Sequence, residues 1–261
     1  MIIGDKDLEN RIASARERDL AGSPVSSTIA GSNSVSGILV PDIGPISEAA
    51  FPPIAGYAFL SDCESSCLVA PSGAIEWLCL PRPHDPSLFG SILDRTAGSF
   101  RFGPPDITVP AHREYVPGTM ALATSWQTHQ GWLLVHDFLA VGPWEESARA
   151  DHDRRTPRDF DARHVLVRIA TCVHGSVDVE LDCEPSFDYG RDDARWSYCD
   201  PSHENVETTN SGPVSLHLSG NVHFGIEGRK VRAPAPQRRS VGLRGAVVVL
   251  GALGARRADE G

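Results

Sequence analysis

Short apolar or alternating segments recur along residues 51–230, about every 10–15 residues. Gly, Pro, Asp and Asn separate these segments, which is typical of β-strands joined by turns. Alternation of apolar and polar residues places one face of a strand in the core. The predicted strands are Gly56–Leu60, Cys67–Ala70, Ala74–Leu80, Ser99–Phe102, Ala121–Thr128, Trp132–Leu139, His164–Val173, Val177–Cys183, Val206–Thr209, Val214–Leu218 and Val222–Ile226.

Two connections between these strands are short enough to define hairpins. They are the turns Pro71–Gly73 and His129–Gly131, and short turns join antiparallel neighbours. A short helix is predicted over Ser87–Asp94, with Pro86 as part of its start signal. The elements together predict an all-β fold, an antiparallel β-sandwich (supersandwich-like) of roughly 180 residues. A domain of that size buries about 70% of its unfolded-chain surface and should fold alone.

The two flanks of this region have a different character. Residues 1–50 are rich in Ser, Gly, Ala and Ile, and apart from a short helix over Asp7–Leu20 we expect a flexible, disordered leader. A mis-assigned start codon would explain the same stretch. Residues 232–261 contain Arg, Ala, Gly, Val, Leu or Pro at 26 of 30 positions, without alternation. We expect an irregular tail there, for which frameshifted translation, a linker and an unusual strand remain open.

The charge balance limits the partners. The chain has 24 Lys and Arg against 34 Asp and Glu, a formal net charge of −10. Nucleic acid is therefore not expected as a partner, since phosphate binding needs excess cationic side chains. No run reaches the ~18 apolar residues of a membrane helix, and the charged segment Met1–Leu20 lacks the apolar core of a secretory signal. We expect a cytoplasmic protein with no membrane partner.

The six cysteines are expected to be reduced and mostly buried. Disulfides need an oxidising compartment, and the missing signal argues against one. Cys63 and Cys67 have the wrong spacing for a zinc knuckle, and no Cys or His pair follows at the expected distance. The sequence therefore predicts no metal ligands.

The segment Trp77–Pro86 is the most informative for chemistry. A predicted strand ends at Leu80, and the prolines that follow stiffen a loop bearing Arg82, His84 and Asp85. Polar groups on a stiff loop lose little entropy on binding and could contact a sugar. The alternative is that Arg82 and Asp85 bond each other or the turn backbone, which needs no ligand.

Two further groups have both a chemical and a structural interpretation. The stretch Asp182–Asp193 has several carboxylates beside Tyr189 and Arg191, as in paired acid–base catalysis, but Asp188 and Arg191 also make an easy local ion pair. No catalytic residue is predicted. Aromatic side chains on strands either stack sugars or fill the core, and we favour the core. These residues are Trp77, Trp126, Trp132, Phe138, Phe187, Tyr189 and Trp196.

A series of short motifs runs through the strand-rich region. It includes Gly73–Arg82 and Pro86–Phe89, then Tyr115–Thr119, Thr124–Trp126, Gly131–Trp132 and Val135–Asp137, and it ends with Cys183–Arg191. These motifs, in this order over about residues 51–231, resemble the N-terminal domain of glycoside hydrolase family 15. Within that family the likeness is to the mycobacterial-type α,α-trehalases and their glucoamylase-like relatives.

The resemblance implies a β-sandwich that in full-length members precedes an (α/α)6 barrel with two catalytic glutamates. Such enzymes are inverting: one carboxylic acid protonates the glycosidic oxygen and the other carboxylate activates water. We expect this chain to be truncated before the barrel and inactive alone, with an α-glucoside such as trehalose as the full-length substrate. No cofactor is expected in this chain, although mycobacterial relatives are associated with phosphate and magnesium.

The sequence departs from the family pattern at a few positions. His84 and Asp85 stand where relatives usually carry Asp and Ser, and Glu76 stands where Asp commonly precedes the Trp. The resemblance makes this loop the expected contribution of the sandwich to the sugar pocket. Arg82, His84 and Asp85 are therefore the candidate substrate-binding residues, and the charge of His84 would depend on pH near neutrality.

The functional alternatives follow from these observations. The first is the non-catalytic N-terminal part of a trehalase-like hydrolase. The second is a freestanding carbohydrate- or partner-binding sandwich, whose exposed apolar face would favour self-association or a missing barrel as partner. A third is an enzyme that uses the carboxylates of Asp182–Asp193, and it predicts turnover that Asp188→Ala abolishes.

Overall fold

The structure is a computed structural model that describes residues 51–141, 165–210, 212, 214–238 and 245–254. Nearly all regular structure in these residues is β-strand. The strands are β1 (Ala58–Ser61), β2 (Ser66–Val69), β3 (Ala74–Cys79), β4 (Ser87–Phe89), β5 (Ser99–Gly103), β6 (His112–Tyr115), β7 (Leu122–Gln127), β8 (Gly131–Leu139), β9 (Val165–Glu184), β10 (Asp192–Asp193), β11 (Trp196–Tyr198), β12 (Asn205–Thr208), β13 (Val214–Gly220), β14 (Gly225–Glu227), β15 (Lys230–Arg238) and β16 (Ala246–Gly254).

Two antiparallel sheets share the long strand β9. The first sheet has the order β1-β2-β3-β5-β9-β15-β14, with β4 paired to the end of β3. The second sheet has the order β6-β7-β8-β9-β16-β13-β12-β11. The predicted all-β, antiparallel fold is confirmed, and the two sheets are consistent with a β-sandwich.

Strand β9 changes sheets at a glycine. Its first half pairs with β8 and β16, and its second half, from Ser176, pairs with β5 and β15. Gly175 lies between the halves with φ +68°, and a Cβ there would lie 2.0 Å from the carbonyl oxygen of Gln130. Only glycine fits such a site. The predicted strands His164–Val173 and Val177–Cys183 are therefore two halves of one strand.

Inward-facing side chains of both sheets form one hydrophobic core. Successive side chains of a strand point to opposite faces of the sheet. In the second half of β9, for example, every second residue is buried in the core: Val177, Val179, Leu181 and Cys183. Each fully buried side chain of this size stabilises the fold by roughly 1.5–3 kcal/mol. The largest of them include Trp126, Phe89, Phe100, Phe102, Leu60, Leu78, Leu122 and Leu133.

A buried ion pair connects the two sheets. On the second sheet Arg168 faces Asp137 across the β8–β9 ladder, with its Nε 2.8 Å from Oδ1. The same guanidinium donates to two carbonyl oxygens of the first sheet region, Phe100 at 2.7 Å and Gly73 at 2.5 Å. It also lies 4.9 Å from the centre of the Phe100 ring. Each of the three guanidinium nitrogens thus has a hydrogen-bond partner inside the protein, which a buried charge requires.

The edge strand β1 is covered by β6 of the second sheet. Arg113 donates to the carbonyl oxygens of Gly56 at 2.8 Å and Val69 at 2.9 Å. The hydroxyl of Tyr115 accepts the N–H of Phe59 at 2.8 Å and donates to its carbonyl oxygen at 2.9 Å. Backbone groups that an edge would leave open are thereby bonded.

Local predictions have mixed outcomes. Both hairpins are confirmed, since β2 pairs with β3 and β7 with β8, each pair antiparallel. The predicted helix over Ser87–Asp94 is wrong: Ser87–Phe89 is a strand, followed by turns. All three residues of β4 are buried, so the segment has no exposed helical face, and it pairs with β3 instead. Strands β6, β10 and β11 are not among the predicted strands.

The expected irregular C-terminal tail contains regular strands, which is the third of the alternatives left open for residues 232–261. Strand β15 continues past 231 to Arg238, and β16 lies between β9 and β13. In β16 the buried residues Ala246, Val248 and Leu250 alternate with half-buried Val247 and Val249, so both faces are apolar and the alternation is hidden in the sequence. The strand-rich domain thus extends to Gly254 in the described residues. Residues 1–50, the predicted leader, lie outside them.

No helix within the described ranges combines the length and apolar character that crossing a membrane requires.

Candidate functional site

The loop between β3 and β4 holds the three predicted substrate-binding residues. Arg82 and His84 are exposed, whereas Asp85 is half-buried. The Oδ2 atom of Asp85 accepts the backbone N–H of Arg82 at 2.9 Å, and the N–H of Asp85 donates to the carbonyl oxygen of Arg82 at 3.1 Å. Asp85 therefore closes the turn, as the structural alternative expected for it. Arg82 and His84 face solvent, where a ligand can reach them, and their role in sugar binding stays a prediction.

A strained turn follows the end of β9. Asp188 (φ 51°, ψ 52°) and Tyr189 (φ 59°, ψ 36°) are consecutive left-handed residues, each costing about 1–2 kcal/mol relative to a right-handed conformation. Gly190 packs so closely that a Cβ would lie 3.0 Å from the Cβ of Ala97. Non-glycine residues persist in this conformation when their surroundings impose it, and such strain concentrates at functional sites.

The strained turn presents an aromatic surface. The ring of Tyr189, 43% exposed, lies 6.5 Å from the ring of half-buried Trp77 on β3, with an interplanar angle of 35°. We call Trp77 and Tyr189 the aromatic platform. Beside it Asp188 and Arg191 form an exposed pair at 3.4 Å. Hydrogen-bonding groups next to exposed rings are suited to a sugar, which offers an apolar face and a rim of hydroxyls.

The aromatic residues therefore divide between the two interpretations. Trp126 is fully buried, as a core role requires, but Trp132 is 40% exposed and Tyr189 is 43% exposed. The turn that carries Tyr189 packs against β4, the strand into which the Arg82–Asp85 loop leads. The Arg82–Asp85 loop and the turn that carries Tyr189, which are far apart in the sequence, therefore both adjoin β4.

A buried carboxylate beside Trp77 organises the neighbouring segments. Glu76, 6% exposed, accepts the hydroxyl proton of Tyr57 at 2.5 Å and pairs with Arg95 at 2.8 Å. Burial, and then the hydrogen bond and charge of Glu76, raise the pKa of Tyr57 to about 12. The Arg95 guanidinium also lies 4.3 Å from the centre of the Phe51 ring. Sequence reasoning noted Glu76 as a family departure but missed this cluster, whose members are distant along the chain.

The carboxylates of Asp182–Asp193 are held by cations. On the outer face of the first sheet, Lys230 lies 2.6 Å from Glu184, Arg232 lies 3.4 Å from Asp182, and Arg229 pairs with Glu184. Asp193 pairs with Arg229 at 3.0 Å. A general acid needs a raised carboxyl pKa. These groups have structural partners instead, so among the described residues this stretch offers ion pairs rather than an acid–base pair.

Among the described residues, two carboxyl groups outside this stretch have shifted pKa values, and both shifts are downward. Hydrogen bonds from the backbone and hydroxyl of Thr96 lower the pKa of Asp94. Hydrogen bonds from Ser202 and Asn205 lower the pKa of Asp200. A lowered pKa keeps a carboxyl group ionised near neutral pH, which is the opposite of what protonation of a glycosidic oxygen needs.

All six cysteines are free thiols. Cys67, Cys79 and Cys183 are buried, and burial raises the pKa of each, that of Cys79 to about 11. Cys63 and Cys199 are exposed, although the sequence analysis expects the cysteines to be mostly buried. In the part of the chain that the structure describes, one group of three metal-ligating side chains lies together: Cys199, Glu207 and His217. A thiol and an imidazole do not suit Mg²⁺, so this group does not fit the magnesium that the family resemblance suggests.

The described chain is an antiparallel β-sandwich domain with a polar loop and an aromatic platform beside the same short strand. The family profile described as "Trehalase-like, N-terminal" matches residues 46–250. The chain therefore belongs to the trehalase-like N-terminal domain family. The match includes residues 232–250 of the C-terminal segment 232–261, for which the sequence predicts an irregular tail.

Individual relatives agree with this family. The trehalase of Mycolicibacterium smegmatis is 51% identical over 195 residues, which is 73% of this chain and 29% of that protein. The trehalase of Mycobacterium tuberculosis is 50% identical over 188 residues, 70% of this chain and 28% of that protein. The chain spans less than a third of the length of these curated relatives. Heparan sulfate lyase HepC from Pedobacter heparinus has a TM-score of 0.45 and 10% identity over 79% of this chain and 36% of that protein, a likeness too distant to bear on function.

Proposed function

We propose that this chain is the non-catalytic N-terminal sandwich of an α,α-trehalase-like, inverting glycoside hydrolase of the family 15, glucoamylase-like type. The observation that carries the proposal is the family match over residues 46–250, together with trehalase relatives more than three times as long as the matched segment. Catalysis in such an enzyme requires two carboxyl groups about 6.5–9.5 Å apart with a water between them. The ion-paired carboxylates of Asp182–Asp193 support assigning that pair to another part of the protein.

The substrate proposed for the full-length protein is an α-glucoside such as trehalose. Within the sandwich, Arg82 and His84 would donate hydrogen bonds to hydroxyl groups, and Asp85 would hold the loop by accepting the Arg82 N–H. The aromatic platform would contact the apolar face of a glucose ring. No covalent step is assigned to any residue of this chain.

The first experiment tests catalysis. The purified 261-residue chain is incubated with trehalose, maltose and maltodextrins, and released glucose is measured beside the Mycolicibacterium smegmatis trehalase as positive control. We expect no release above a buffer blank. Turnover that co-purifies with the chain and disappears in Asp188→Ala would overturn the proposal and establish an enzyme that uses the Asp182–Asp193 carboxylates.

The second experiment tests the sugar-contact surface. Trehalose is titrated into the isotopically labelled chain, and the indole N–H resonance of Trp77 is followed by NMR. We expect a shift in the wild type that Tyr189→Ala removes. Tyr198→Ala is the matched control, because Tyr198 is 41% exposed and stacks on His203 instead of Trp77. Equal shifts in all three proteins would exclude the platform as the contact surface.

A freestanding binding module is the second candidate, and one observation favours it. The outer face of the second sheet carries several half-buried apolar side chains, which a separate barrel or a second copy of this chain could cover: Leu134, Phe138, Val167, Ile169, Val247 and Val249. Saturable sugar binding at sub-millimolar concentration would favour the module, as would dimers in light scattering that Ile169→Lys dissociates. Weaker binding by a monomer favours the first candidate.

We also propose a cytoplasmic location without a nucleic-acid partner. Six free thiols are typical of a reducing compartment, and the net charge of −10 opposes contact with phosphates. Fractionation of cells that express the tagged chain tests the location.

A further inference from the structure

Three neighbouring strands of the second sheet bring one thiol, one carboxylate and one imidazole together. Cys199 directly follows β11, Glu207 lies on β12 and His217 lies on β13. Glu207 and His217 are direct cross-strand partners, and the backbone N–H of Cys199 extends the β11–β12 ladder by donating to Asn205 at 3.0 Å. The ligand atoms of the three residues lie within 4.8 Å of one another, and Cys199 Sγ is 4.0 Å from His217 Nδ1.

These separations match a metal site that is nearly assembled. Around a tetrahedral Zn²⁺, with a Zn–S distance of about 2.3 Å and a Zn–N distance of about 2.0 Å, the sulfur and nitrogen lie roughly 3.5 Å apart. The observed Sγ to Nδ1 distance of 4.0 Å needs only a small rotation about the side-chain bonds. Thiolate, imidazole and carboxylate are the three ligand types that Zn²⁺ accepts, and the thiolate excludes hard cations such as Mg²⁺ and Ca²⁺.

The two strands that carry Glu207 and His217 are anchored in the hydrophobic core. On the strands that carry them, Val206, Leu216 and Leu218 alternate with Glu207 and His217 and are buried in the core, so the two ligands project from the opposite face. The residue beside His217 on β16 is Gly251, where an added Cβ would meet nothing within 4 Å. The face above the imidazole is therefore open to a fourth ligand such as water.

Competing roles for these side chains fit less well. Among the described residues, no Lys or Arg pairs with Glu207. Nearby Asp200 is engaged by Asn205 at 2.6 Å and by Ser202, so its carboxylate is committed to its own turn.

We propose that Cys199, Glu207 and His217 bind one Zn²⁺ ion with an open fourth position, in a site independent of the sugar-contact surface. Binding displaces the thiol proton to solvent and forms a Zn–S bond, so affinity falls as the pH is lowered. The ion would cross-link β11, which is the edge strand of the second sheet, to β12 and β13. Its role in this chain is therefore to stabilise the end of that sheet, and the open position leaves room for a ligand from a partner.

The test uses the full chain, freed of metal by a chelator under reducing conditions, and titrates it with Zn²⁺ and with Co²⁺. We expect one equivalent to bind, a thiolate-to-cobalt charge-transfer band, tetrahedral d–d bands and a raised thermal midpoint. Loss of a residue that hydrogen-bonds a metal ligand typically costs about 10–100-fold in affinity, so loss of a ligand itself should exceed that range. Cys199→Ser, Glu207→Gln and His217→Gln should each show such a loss.

Matched controls separate this site from adventitious thiol binding. Cys63→Ser removes the other exposed cysteine and should retain the affinity, the charge-transfer band and the thermal shift. Circular dichroism of the metal-free variants verifies that each folds. The proposal is overturned if wild-type binding is weaker than that of a free thiol–imidazole mixture, if the Cys199, Glu207 and His217 variants bind as the wild type does, or if Cys63→Ser abolishes the cobalt band.

Discussion

Two aspartate–arginine pairs of the same chemistry occupy opposite environments in this molecule. Asp137 and Arg168 join the two sheets at 2.8 Å, with side chains 1% and 0% exposed. Asp188 and Arg191 lie 3.4 Å apart on the strained turn, with side chains 49% and 75% exposed. A buried charge depends on its partner because water cannot replace it, whereas solvent can replace either member of the exposed pair. The first pair therefore belongs to the fold, and the second is available to a ligand.

The backbone shows the same contrast. The left-handed position at which β9 changes sheets is occupied by Gly175, the residue with the least steric penalty. At the surface, Asp188 and Tyr189 are left-handed although both carry side chains. Cys63 and His203 are left-handed as well, so this kind of strain is not confined to the aromatic platform.

The largest expected effect comes from neutralising the buried aspartate. Asp137→Asn leaves the buried Arg168 without a counter-charge and should lower the free energy of unfolding by about 3–5 kcal/mol. The same change at the surface, Asp188→Asn, should alter it by less than about 0.5 kcal/mol. Urea unfolding of both variants measures the difference. Similar losses in the two variants would show that burial does not distinguish the pairs.

Gly175→Ala should have the next largest effect. A methyl group there would lie 2.0 Å from the Gln130 carbonyl oxygen in addition to an unfavourable φ, and we expect a loss of roughly 2–3 kcal/mol. Gly228→Ala is the control, because Gly228 has φ +63° but nothing within 4 Å of an added Cβ. The free energy of unfolding of Gly228→Ala should fall by about 1 kcal/mol, which is the penalty for a left-handed φ without a steric clash. If the two variants lose the same amount, the close contact at Gly175 contributes nothing.

The sequence predicts the fold well where the signals are local. Alternation and short turns located most strands and both hairpins, because a pleated strand and a tight turn each require particular residues within a few positions. The helix prediction for Ser87–Asp94 is wrong because a short, fully buried strand and one turn of a buried helix show the same run of apolar residues. Strand β16 has no clear sequence signal because it is apolar on both faces. Its pairing with β9 also joins residues more than 70 positions apart.

The candidate sites show the same limit. Arg82, His84 and Asp85 were found because they share one loop, but the sequence could not show that Asp85 bonds the turn backbone. The left-handed pair at Asp188 and Tyr189 has no sequence signal, since neither residue is glycine. The thiol, carboxylate and imidazole of the proposed zinc site come from three strands, so the short spacings by which zinc sites are recognised are missing. Such groups become visible only when the register of the strands is known.

Relief of strain in the turn should give a smaller, stabilising effect. Asp188→Gly removes about 1–2 kcal/mol of left-handed strain, and the greater freedom of glycine in the unfolded chain offsets about half of that. We expect a gain of about 0.5–1 kcal/mol in urea unfolding, with the Trp77–Tyr189 contact retained. Asp188→Ala, which keeps a Cβ and therefore the left-handed penalty, serves as the control and should not show the gain. Destabilisation by Asp188→Gly would mean that the turn is not strained.

The smallest expected effect is the pH dependence that arises from the Glu76 cluster. The pKa of Tyr57 is about 12 in the folded protein, against a usual value of about 10, so the folded state holds the phenolic proton more tightly. This contribution is complete below pH 10 and is lost as the pH rises from about 10 to 12. Because Tyr57 is only partly buried, solvent screening limits this contribution to stability to about 0.5 kcal/mol.

Other groups titrate in the same range, so the measured quantity is the difference in the free energy of unfolding between the wild type and Tyr57→Phe, from urea unfolding at pH 9 and above. That difference should shrink as the pH rises. A constant difference would show that the hydroxyl contributes only packing, and that the carboxylate of Glu76 is held by Arg95 alone.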